Sequence, residues 1–191
     1  MILVVDLCFK PQSLSKYEFV DPITAILRRA GSEYEVVHST EITPDLIYSS
    51  DGIILCGTAL KDDIYARRID LFSWIRDLEK PILGICAGMQ VVAAVFGGEI
   101  VPQPKIGLEK IMIVKETDLL GPPRQIEGYH LHNFGVTLPQ GFDLVAGRPG
   151  EVEAFKHAER PLYGIIFHPE VRNRWIVERF DALLLESTTT P

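Results

Sequence analysis

The sequence predicts an α/β protein of three layers, with a mostly parallel central sheet flanked by helices and an additional short antiparallel sheet. Two observations predict this architecture. In the first half of the 191-residue chain, short apolar runs alternate with segments of helical pattern, which is typical of a parallel sheet covered on both faces. In the second half, strand-like runs follow one another with only turns between them, as in antiparallel sheets.

The first half contains four predicted strands, in the segments ILVVD, YEVVH, DGIILC and PILGI. A helix is predicted in DPITAILRRAG, with Asp21 as N-cap, Pro22 at the first helical position and Gly31 just beyond the end. The segment TPDLI repeats this start of a capping residue followed by proline. These signals predict the alternation of strands and helices.

Two longer helical segments follow. IYARRIDLFSWIRDLEK is predicted as one helix, because its apolar residues recur on one face, namely Ile64, Ile69, Phe72, Ile75 and Leu78. GMQVVAAVF is predicted as a buried helix directly after the fourth strand. Further strands are predicted in LEKIMIVKE, RQIEGYHLHNFGVTLP, FDLVAG, EVEAFKH and PLYGIIFHPEV, and the amphipathic segment NRWIVERFDALLLE closes the chain as a helix.

Composition is that of an ordinary globular protein. We expect one domain over residues 1–186 and a flexible tail over residues 187–191. The net charge of −7 argues against a broad nucleic-acid-binding surface, and no apolar run reaches a membrane-spanning length. Three cysteines do not suggest a disulfide framework, and the chain opens on a strand instead of a secretion signal, so a cytoplasmic location is expected.

The fourth strand runs into a cysteine between two glycines. Residues 84–88, GICAG, form a cysteine version of the nucleophile elbow, the sharp strand-to-helix turn that lifts a nucleophile above a sheet. Gly84 and Gly88 fit this turn, because larger side chains there would collide. The N-terminus of the following helix would stabilise negative charge on the sulfur of Cys86. Taken alone, the pattern fits a buried structural cysteine equally well.

A partner base lies at the end of the last strand. His168 ends the apolar run YGIIF, and Glu170 follows two residues later, on the same face of an extended backbone. The carboxylate can therefore orient the imidazole, which leaves the other ring nitrogen for a nucleophile. In isolation, this segment fits a strand-end histidine beside a solvated glutamate.

Taken together and in this order, GICAGMQ and FHPEV resemble the motifs of the class I glutamine amidotransferases, and the resemblance covers nearly the whole chain. It implies the flavodoxin-like fold of that family. It also implies a triad of Cys86, His168 and Glu170 that hydrolyses the side-chain amide of L-glutamine through a cysteine thioester. No cofactor and no metal are implied, and neither a P-loop nor a dinucleotide fingerprint is visible.

Other positions are carried over from this resemblance. Gly57, in LCGTALKDD, matches the second glycine of the family's glycine-rich loop, although the residues on either side of it depart from the pattern. The amides of Gly57 and Ala87 are expected to form the oxyanion hole. Gln90 matches a position that contacts glutamine. The segment HLHNFG matches the loop that holds the substrate through its backbone, with Leu131, Asn133 and Phe134 as the expected contacts.

The resemblance also implies a partner. Little chain follows HPEV, so an ATP-using synthase is expected on a separate subunit that receives the ammonia. The motifs are most similar to those of the separate amidotransferase subunit of GMP synthase in archaea. VRNRW after the last motif and the long first loop, LCFKPQSLSKYEF, depart from that subunit. A stand-alone γ-glutamyl hydrolase remains an alternative, as does a non-enzymatic regulator, against which the intact triad argues.

Three minor features keep two interpretations each. His130 and His132 form H-x-H, which fits either half of a zinc site or histidines at the surface or the core edge. Cys56 is either structural or a redox partner of Cys86. The basic segment RNRWIVER is either a solvated helix start or a docking surface for a partner.

Overall fold

The computed structural model describes residues 1–188, with a central sheet and helices on both of its faces. The strands are β1 (Ile2–Asp6), β2 (Tyr34–His38), β3 (Gly52–Leu55), β4 (Ile82–Ile85), β5 (Ile100–Ile113), β6 (Arg124–Val136), β7 (Phe142–Arg148), β8 (Glu151–His157) and β9 (Leu162–Ile165). The helices are α1 (Lys16–Phe19), α2 (Asp21–Ala30), α3 (Pro44–Ser49), α4 (Ile64–Arg67), α5 (Ala87–Val95) and α6 (Trp175–Thr188), with a 3-10 helix at Ile69–Arg76. Of the predicted tail, residues 187 and 188 belong to α6, and residues 189–191 lie outside the described part of the chain.

The nine strands form one hydrogen-bonded sheet in the order β2-β1-β3-β4-β9-β8-β7-β5-β6. Strands β2, β1, β3, β4 and β9 are parallel to one another, and β8, β7, β5 and β6 continue as antiparallel strands. The fold class predicted from the sequence is confirmed. The antiparallel strands extend the parallel sheet directly, because β9 pairs with β4 on one side and β8 on the other.

The parallel strands form the centre of the core. Every residue of β1, β3, β4 and β9 is buried, as expected where helices cover both faces of a sheet. In α5, eight of the nine residues are buried, because this helix packs between the sheet and the 3-10 helix. None of the described helices is long and apolar enough to span a membrane.

The segment after β3 differs from the single helix that the apolar pattern predicts. It divides into α4 and the 3-10 helix, with non-helical backbone at Arg68, where φ is −125° and ψ is 39°. Phe72 and Ile75 lie three residues apart in the 3-10 helix and are buried, a spacing that keeps them on one side of it, and Leu78, beyond its end, is also buried. Ile64, predicted on the buried face, is exposed.

The helix starts agree with the capping signals to within one residue. The Thr43 hydroxyl accepts a hydrogen bond from the Leu46 amide and so caps α3. Asp21 is the first residue of α2 and not its cap, because α1 runs almost directly into α2 through Val20, whose backbone is already helical. Gly31 ends α2 with a positive φ of 80°.

Candidate active site

A strained turn between β4 and α5 holds Cys86. Its φ is 50° and its ψ is −104°, a conformation that non-glycine residues rarely adopt and that is found at functional turns. A Cβ added at Gly84 would lie 2.5 Å from the Gly88 carbonyl oxygen, and one at Gly88 would collide with the carbonyl of Leu55. The two glycines therefore allow the turn, as the G-x-C-x-G pattern predicts.

A buried imidazole and a buried carboxylate lie after β9. Nδ1 of His168 and Oε1 of Glu170 are 2.7 Å apart, and both side chains are almost completely excluded from solvent. The His168 amide donates to the Tyr129 carbonyl of β6, which fixes the backbone at this point. Within the described residues, Nε2 of His168 has no hydrogen-bond partner, so this nitrogen is free for a reacting group.

Gly57, just after β3, brings the two motifs together. A Cβ at this position would lie 2.9 Å from Cε1 of His168 and 3.5 Å from Cβ of Cys86. The imidazole and the cysteine therefore both lie next to Gly57. Strand order explains the meeting, because β4 lies between β3 and β9 and all three strands are parallel. Their carboxyl ends therefore share one edge of the sheet, where sites of α/β proteins form.

Electrostatics favour a protonated His168. Burial alone lowers the pKa of its imidazole, but negative charge on Cys86 and on Glu170 outweighs burial, and the pKa is raised well above its ordinary value. The arrangement therefore favours the imidazolium form of His168. Cys86 also lies at the N-terminus of α5, whose dipole stabilises negative charge.

A cavity of ≈ 260 Å³ opens in front of the sulfur and is of a size to hold a small substrate. One wall is formed by residues 58–67 and the other by the end of β6. Sγ of Cys86 lies 3.8 Å from the Leu131 carbonyl oxygen, and Nδ2 of Asn133 donates to the Leu60 carbonyl at 3.1 Å across the cavity. The predicted segment HLHNFG thus borders the cavity beside the cysteine.

Gln90 lies in the cavity wall, but both ends of its amide are bonded to the protein. Oε1 accepts from the Tyr65 hydroxyl at 2.5 Å, and Nε2 donates to the Phe134 carbonyl at 2.8 Å. The side chain therefore connects α4 to β6 across α5. The predicted contact of Gln90 with the substrate stays a prediction, and the structure shows that its amide connects two walls of the cavity it lines.

Two residues of this region were missed by the sequence analysis. Phe19 lies with its ring centroid 5.6 Å from that of His168, and it comes from α1 within the unusually long first loop. Tyr65 lies on α4 and carries the hydroxyl that holds Gln90. The only sequence signal was the length of the first loop, because neither aromatic residue belongs to a motif.

His130 and His132 are fully buried, which corrects the interpretation as surface or core-edge residues. Their rings lie with Nδ1 of His130 3.0 Å from Nε2 of His132, so one imidazole donates to the other. Burial is the main reason why their pKa values are lowered to about 3 and about 4, respectively. Over the described residues, no group of three or more His, Cys, Asp or Glu side chains is arranged to hold a metal ion.

The remaining cysteines have no disulfide partner in the described chain, and all three thiols are free. Burial raises the pKa of Cys56 well above its ordinary value, with the charges of Glu170 and Asp6 adding to this. Burial also raises the pKa of Cys8 to about 12, with Asp6 contributing. Both thiols are therefore held in the neutral, unreactive form.

Comparison with known proteins gives consistent results. The sequence model of the family "Glutamine amidotransferase class-I" matches residues 16–176. A subunit of the glutamine-hydrolysing GMP synthase of Methanocaldococcus jannaschii is 41% identical over 163 residues, which cover 81% of this chain and 84% of that protein. The corresponding protein of Methanosarcina barkeri is 33% identical over 161 residues, covering 81% and 82%.

Solved structures agree with these sequences. A putative GMP synthase subunit from Thermoplasma acidophilum superposes with a TM-score of 0.84 at 28% identity, covering 98% of this chain and 94% of that one. A glutamine amidotransferase from Thermotoga maritima superposes with a TM-score of 0.68 at 20% identity, covering 100% and 86%, which shows a shared fold.

Proposed function

Because this chain belongs to the class I glutamine amidotransferases, we propose that it hydrolyses glutamine as the ammonia-supplying subunit of a two-chain GMP synthase. One observation carries the chemistry. The strained Cys86 lies at a helix N-terminus, beside an imidazole that Glu170 orients at 2.7 Å. Such an arrangement is suited to nucleophilic attack by sulfur on an amide.

The first half-reaction forms a thioester. The Cys86 sulfur, with its proton on His168, attacks the side-chain carbonyl carbon of glutamine. The bond from this carbon to nitrogen then breaks, and His168 gives its proton to the departing nitrogen, which leaves as ammonia. Glu170 keeps Nδ1 of the imidazole oriented, so that Nε2 faces the reacting atoms.

The second half-reaction releases glutamate. His168, now neutral, takes a proton from water, and the resulting hydroxide attacks the thioester carbon. The bond between this carbon and the Cys86 sulfur breaks, the sulfur keeps the electron pair as a thiolate beside the protonated His168, and glutamate leaves. In both steps the amides of Gly57 and Ala87 are proposed to bind the oxyanion, since Gly57 faces both reacting side chains and Ala87 begins α5 with a free amide.

The walls of the cavity are proposed to bind the amino acid part of the substrate. Leu131, Asn133 and Phe134 border the cavity and present backbone groups of β6. In this proposal Gln90 acts by position, because its amide holds the Phe134 carbonyl and the Tyr65 hydroxyl. It keeps the two walls at the separation that glutamine requires.

The partner follows from the relatives. The similar proteins in Methanocaldococcus jannaschii and Methanosarcina barkeri are each named as one subunit of a glutamine-hydrolysing GMP synthase, and this chain matches more than four-fifths of their length. A separate chain is therefore proposed to use ATP and to receive the ammonia. We propose that this separate chain is the synthetase of GMP synthase.

The test combines this chain with the separate, ATP-using chain of GMP synthase from the same organism, called the synthase chain below. We expect glutamine-dependent GMP formation by the pair, and glutamine hydrolysis that rises when the partner and its nucleotide substrates are added. Cys86→Ala should lower both by about 10⁴-fold or more, while GMP formation from added ammonium salt continues. Rapid hydrolysis of varied γ-glutamyl amides by the isolated chain, with no effect of the partner, would show a stand-alone hydrolase instead.

A further inference from the structure

The outer face of the ribbon formed by β5 and β6 is apolar and open to solvent. Ile106, Leu108 and Met112 alternate along β5 and are 64%, 55% and 49% exposed. The register places Ile106 opposite Leu131 and Leu108 opposite Tyr129, so all of these side chains share one face. We call this face, with its neighbour Val171, the ribbon face.

This pattern differs from that of an ordinary antiparallel ribbon. One face of such a ribbon packs on the core and the other is normally polar. Here the inward positions of β5 and β6 pack Ile111 and Ile113 on the core and also hold His130 and His132, whereas Ile106, Leu108 and Met112 occupy outward positions. Large apolar side chains exposed next to one another, as Ile106 and Leu108 are, indicate a site of interaction with another molecule.

The ribbon face begins at the mouth of the catalytic cavity. Leu131 belongs both to this face and to the cavity wall beside Cys86. In the turn that follows the triad residue Glu170, Val171 is 54% exposed. Arg172 forms an ion pair with Glu127 of β6 at 2.9 Å, which attaches the turn after the triad to the ribbon.

Charged groups surround the apolar side chains. Lys110 lies opposite Glu127 in the register, so this pair separates Met112 from the apolar cluster of Ile106 and Leu108 on the same face, and Arg172 donates to Glu127. An apolar centre with a charged rim is the usual composition of an interface between proteins. The charges are of both signs, which fits a folded protein partner better than nucleic acid or an anionic membrane.

We propose that the ribbon face is the docking surface for the synthase chain, an inference that rests on the proposed function. Ammonia formed at Cys86 leaves through a cavity whose wall is continuous with this face, so a partner seated here covers the exit. The relatives are subunits of GMP synthases, which supplies a partner of the required kind. A second copy of this chain is the competing occupant, and the experiment separates the two.

The test variants are Leu108→Glu and Met112→Glu, which lie on the ribbon face away from the triad. Tyr48→Glu is the matched control, because Tyr48 is 72% exposed on α3, which follows β2 at the other end of the strand order. Each variant is mixed with the synthase chain, and affinity is measured by sedimentation velocity and calorimetry. Glutaminase activity of each chain alone and GMP formation from ammonium salt are measured in parallel.

We expect Leu108→Glu and Met112→Glu to weaken binding of the synthase chain by about tenfold or more, with a parallel loss of glutamine-dependent GMP formation. Their glutaminase activity alone should equal that of the wild type, and Tyr48→Glu should bind normally. Normal binding by both ribbon variants, with a wild-type pair that makes GMP, would overturn the docking surface and leave the proposed function standing.

Two other outcomes are distinct. If the wild-type chain neither binds the synthase chain nor supports GMP formation, the proposed function is wrong. The synthase chain is then also excluded as the molecule bound at the ribbon face. If the wild-type chain alone is a dimer that Leu108→Glu separates, the ribbon face is an interface between copies, and the synthase assignment is wrong.

Discussion

At the scale of single residues, the site depends on how neighbouring groups shift the pKa of His168 and on how the backbone holds Cys86. Burial lowers the pKa of His168, and the electrostatic interactions with Cys86 and Glu170, together with the hydrogen bond to Glu170, raise it above its ordinary value. Cys86 is in turn held by a strained backbone that Gly84 and Gly88 permit. Substitution of Glu170 and substitution of Gly88 therefore have different effects, which can be measured separately.

Replacing Glu170 should lower the pKa of His168. In Glu170→Gln the carboxylate charge is lost while burial remains, so the imidazolium should lose its proton at a lower pH. We expect kcat for glutamine to fall by about 100-fold and the alkaline limb of the pH profile to move to lower pH. Nitrogen-15 NMR of the imidazole and kinetics at several pH values measure both. Glu99→Gln, at an exposed position, is the control, and an unchanged profile in Glu170→Gln would contradict the assigned role.

Replacing Gly88 should destabilise the fold through collision. Its Cβ would run into the Leu55 carbonyl, which cannot move because it belongs to the core strand β3. We expect Gly88→Ala to lower the free energy of unfolding by about 3 kcal/mol. Gly31→Ala is the comparison, because that position has a positive φ but open space, and it should cost about 1 kcal/mol. Urea denaturation measures both, and equal costs would refute the steric explanation.

At the scale of elements, the cavity exists because separate segments are tied together. The chain of hydrogen bonds from Tyr65 through Gln90 to the Phe134 carbonyl connects α4, α5 and β6. Asn133 makes a second connection to the Leu60 carbonyl. The cavity walls are thus positioned by hydrogen bonds between elements that are distant in sequence.

Loss of the Tyr65 hydroxyl should loosen this connection. Tyr65→Phe leaves Oε1 of Gln90 without its donor, so the wall that carries Phe134 should be less well positioned. We expect KM for glutamine to rise about fivefold to tenfold with a smaller change in kcat, because binding is affected more than the sulfur chemistry. Steady-state kinetics test this. Tyr17→Phe, at an exposed site on α1, should behave as the wild type, and an unaltered KM in Tyr65→Phe would exclude a positioning role.

The buried histidines of β6 should make the protein sensitive to acid. Their folded pKa values of about 3 and about 4 lie below the ordinary value of 6.5, so below that pH the unfolded chain binds more protons than the folded one. Stability is therefore lost as pH falls from about 6.5 toward these values, by about 1–2 kcal/mol for each histidine between pH 7 and pH 5. His130→Gln should reduce this loss relative to the wild type, as measured by urea denaturation at both pH values. His157→Gln, at a partly buried position of β8, is expected to change it less, and an identical acid dependence in His130→Gln would contradict the assignment.

At the scale of the whole molecule, one continuous sheet serves two purposes. Its parallel half, β2 to β9, is covered by helices and carries Cys86 and His168 at its carboxyl edge. Its antiparallel half ends in the β5–β6 ribbon, which supplies one wall of the cavity and an apolar outer face. Catalysis and partner binding are thus proposed to lie on adjoining parts of one sheet.

A bound partner should therefore stabilise the whole chain. A protein that binds the folded state alone adds RT ln(1 + [L]/Kd) to stability, which is about 2.7 kcal/mol at a free concentration of 100 Kd. We expect backbone amide hydrogens of this protein to exchange more slowly when the synthase chain is added in excess, with the strongest effect in β5 and β6. Serum albumin at equal concentration is the control, and protection confined to other strands would argue against the ribbon face.

Much of the fold and of the site could be predicted from the sequence, because these features depend on local spacing. Apolar runs and capping signals predicted the strands and most helices, and the glycines around Cys86 predicted the turn. His168 and Glu170 are two residues apart, as predicted for an orienting pair, and they make contact at 2.7 Å. The extended backbone expected there was wrong, because β9 ends at Ile165 and the Val171 amide donates to the His168 carbonyl in a turn. The prediction of a single helix after β3 was wrong, because apolar residues at every third position also fit a 3-10 helix.

The sequence alone thus determined the order of the strands and helices along the chain, the strained turn and the orienting carboxylate, because each depends on residues close together in the chain. Only the tertiary structure decided that Gln90 is bonded at both ends, to residues 25 and 44 positions away, that Phe19 reaches His168, and that the histidine pair is buried. It alone decided which face of β5 and β6 meets solvent. These contacts depend on how distant strands are ordered in one sheet, and spacing along the chain carries no record of that order.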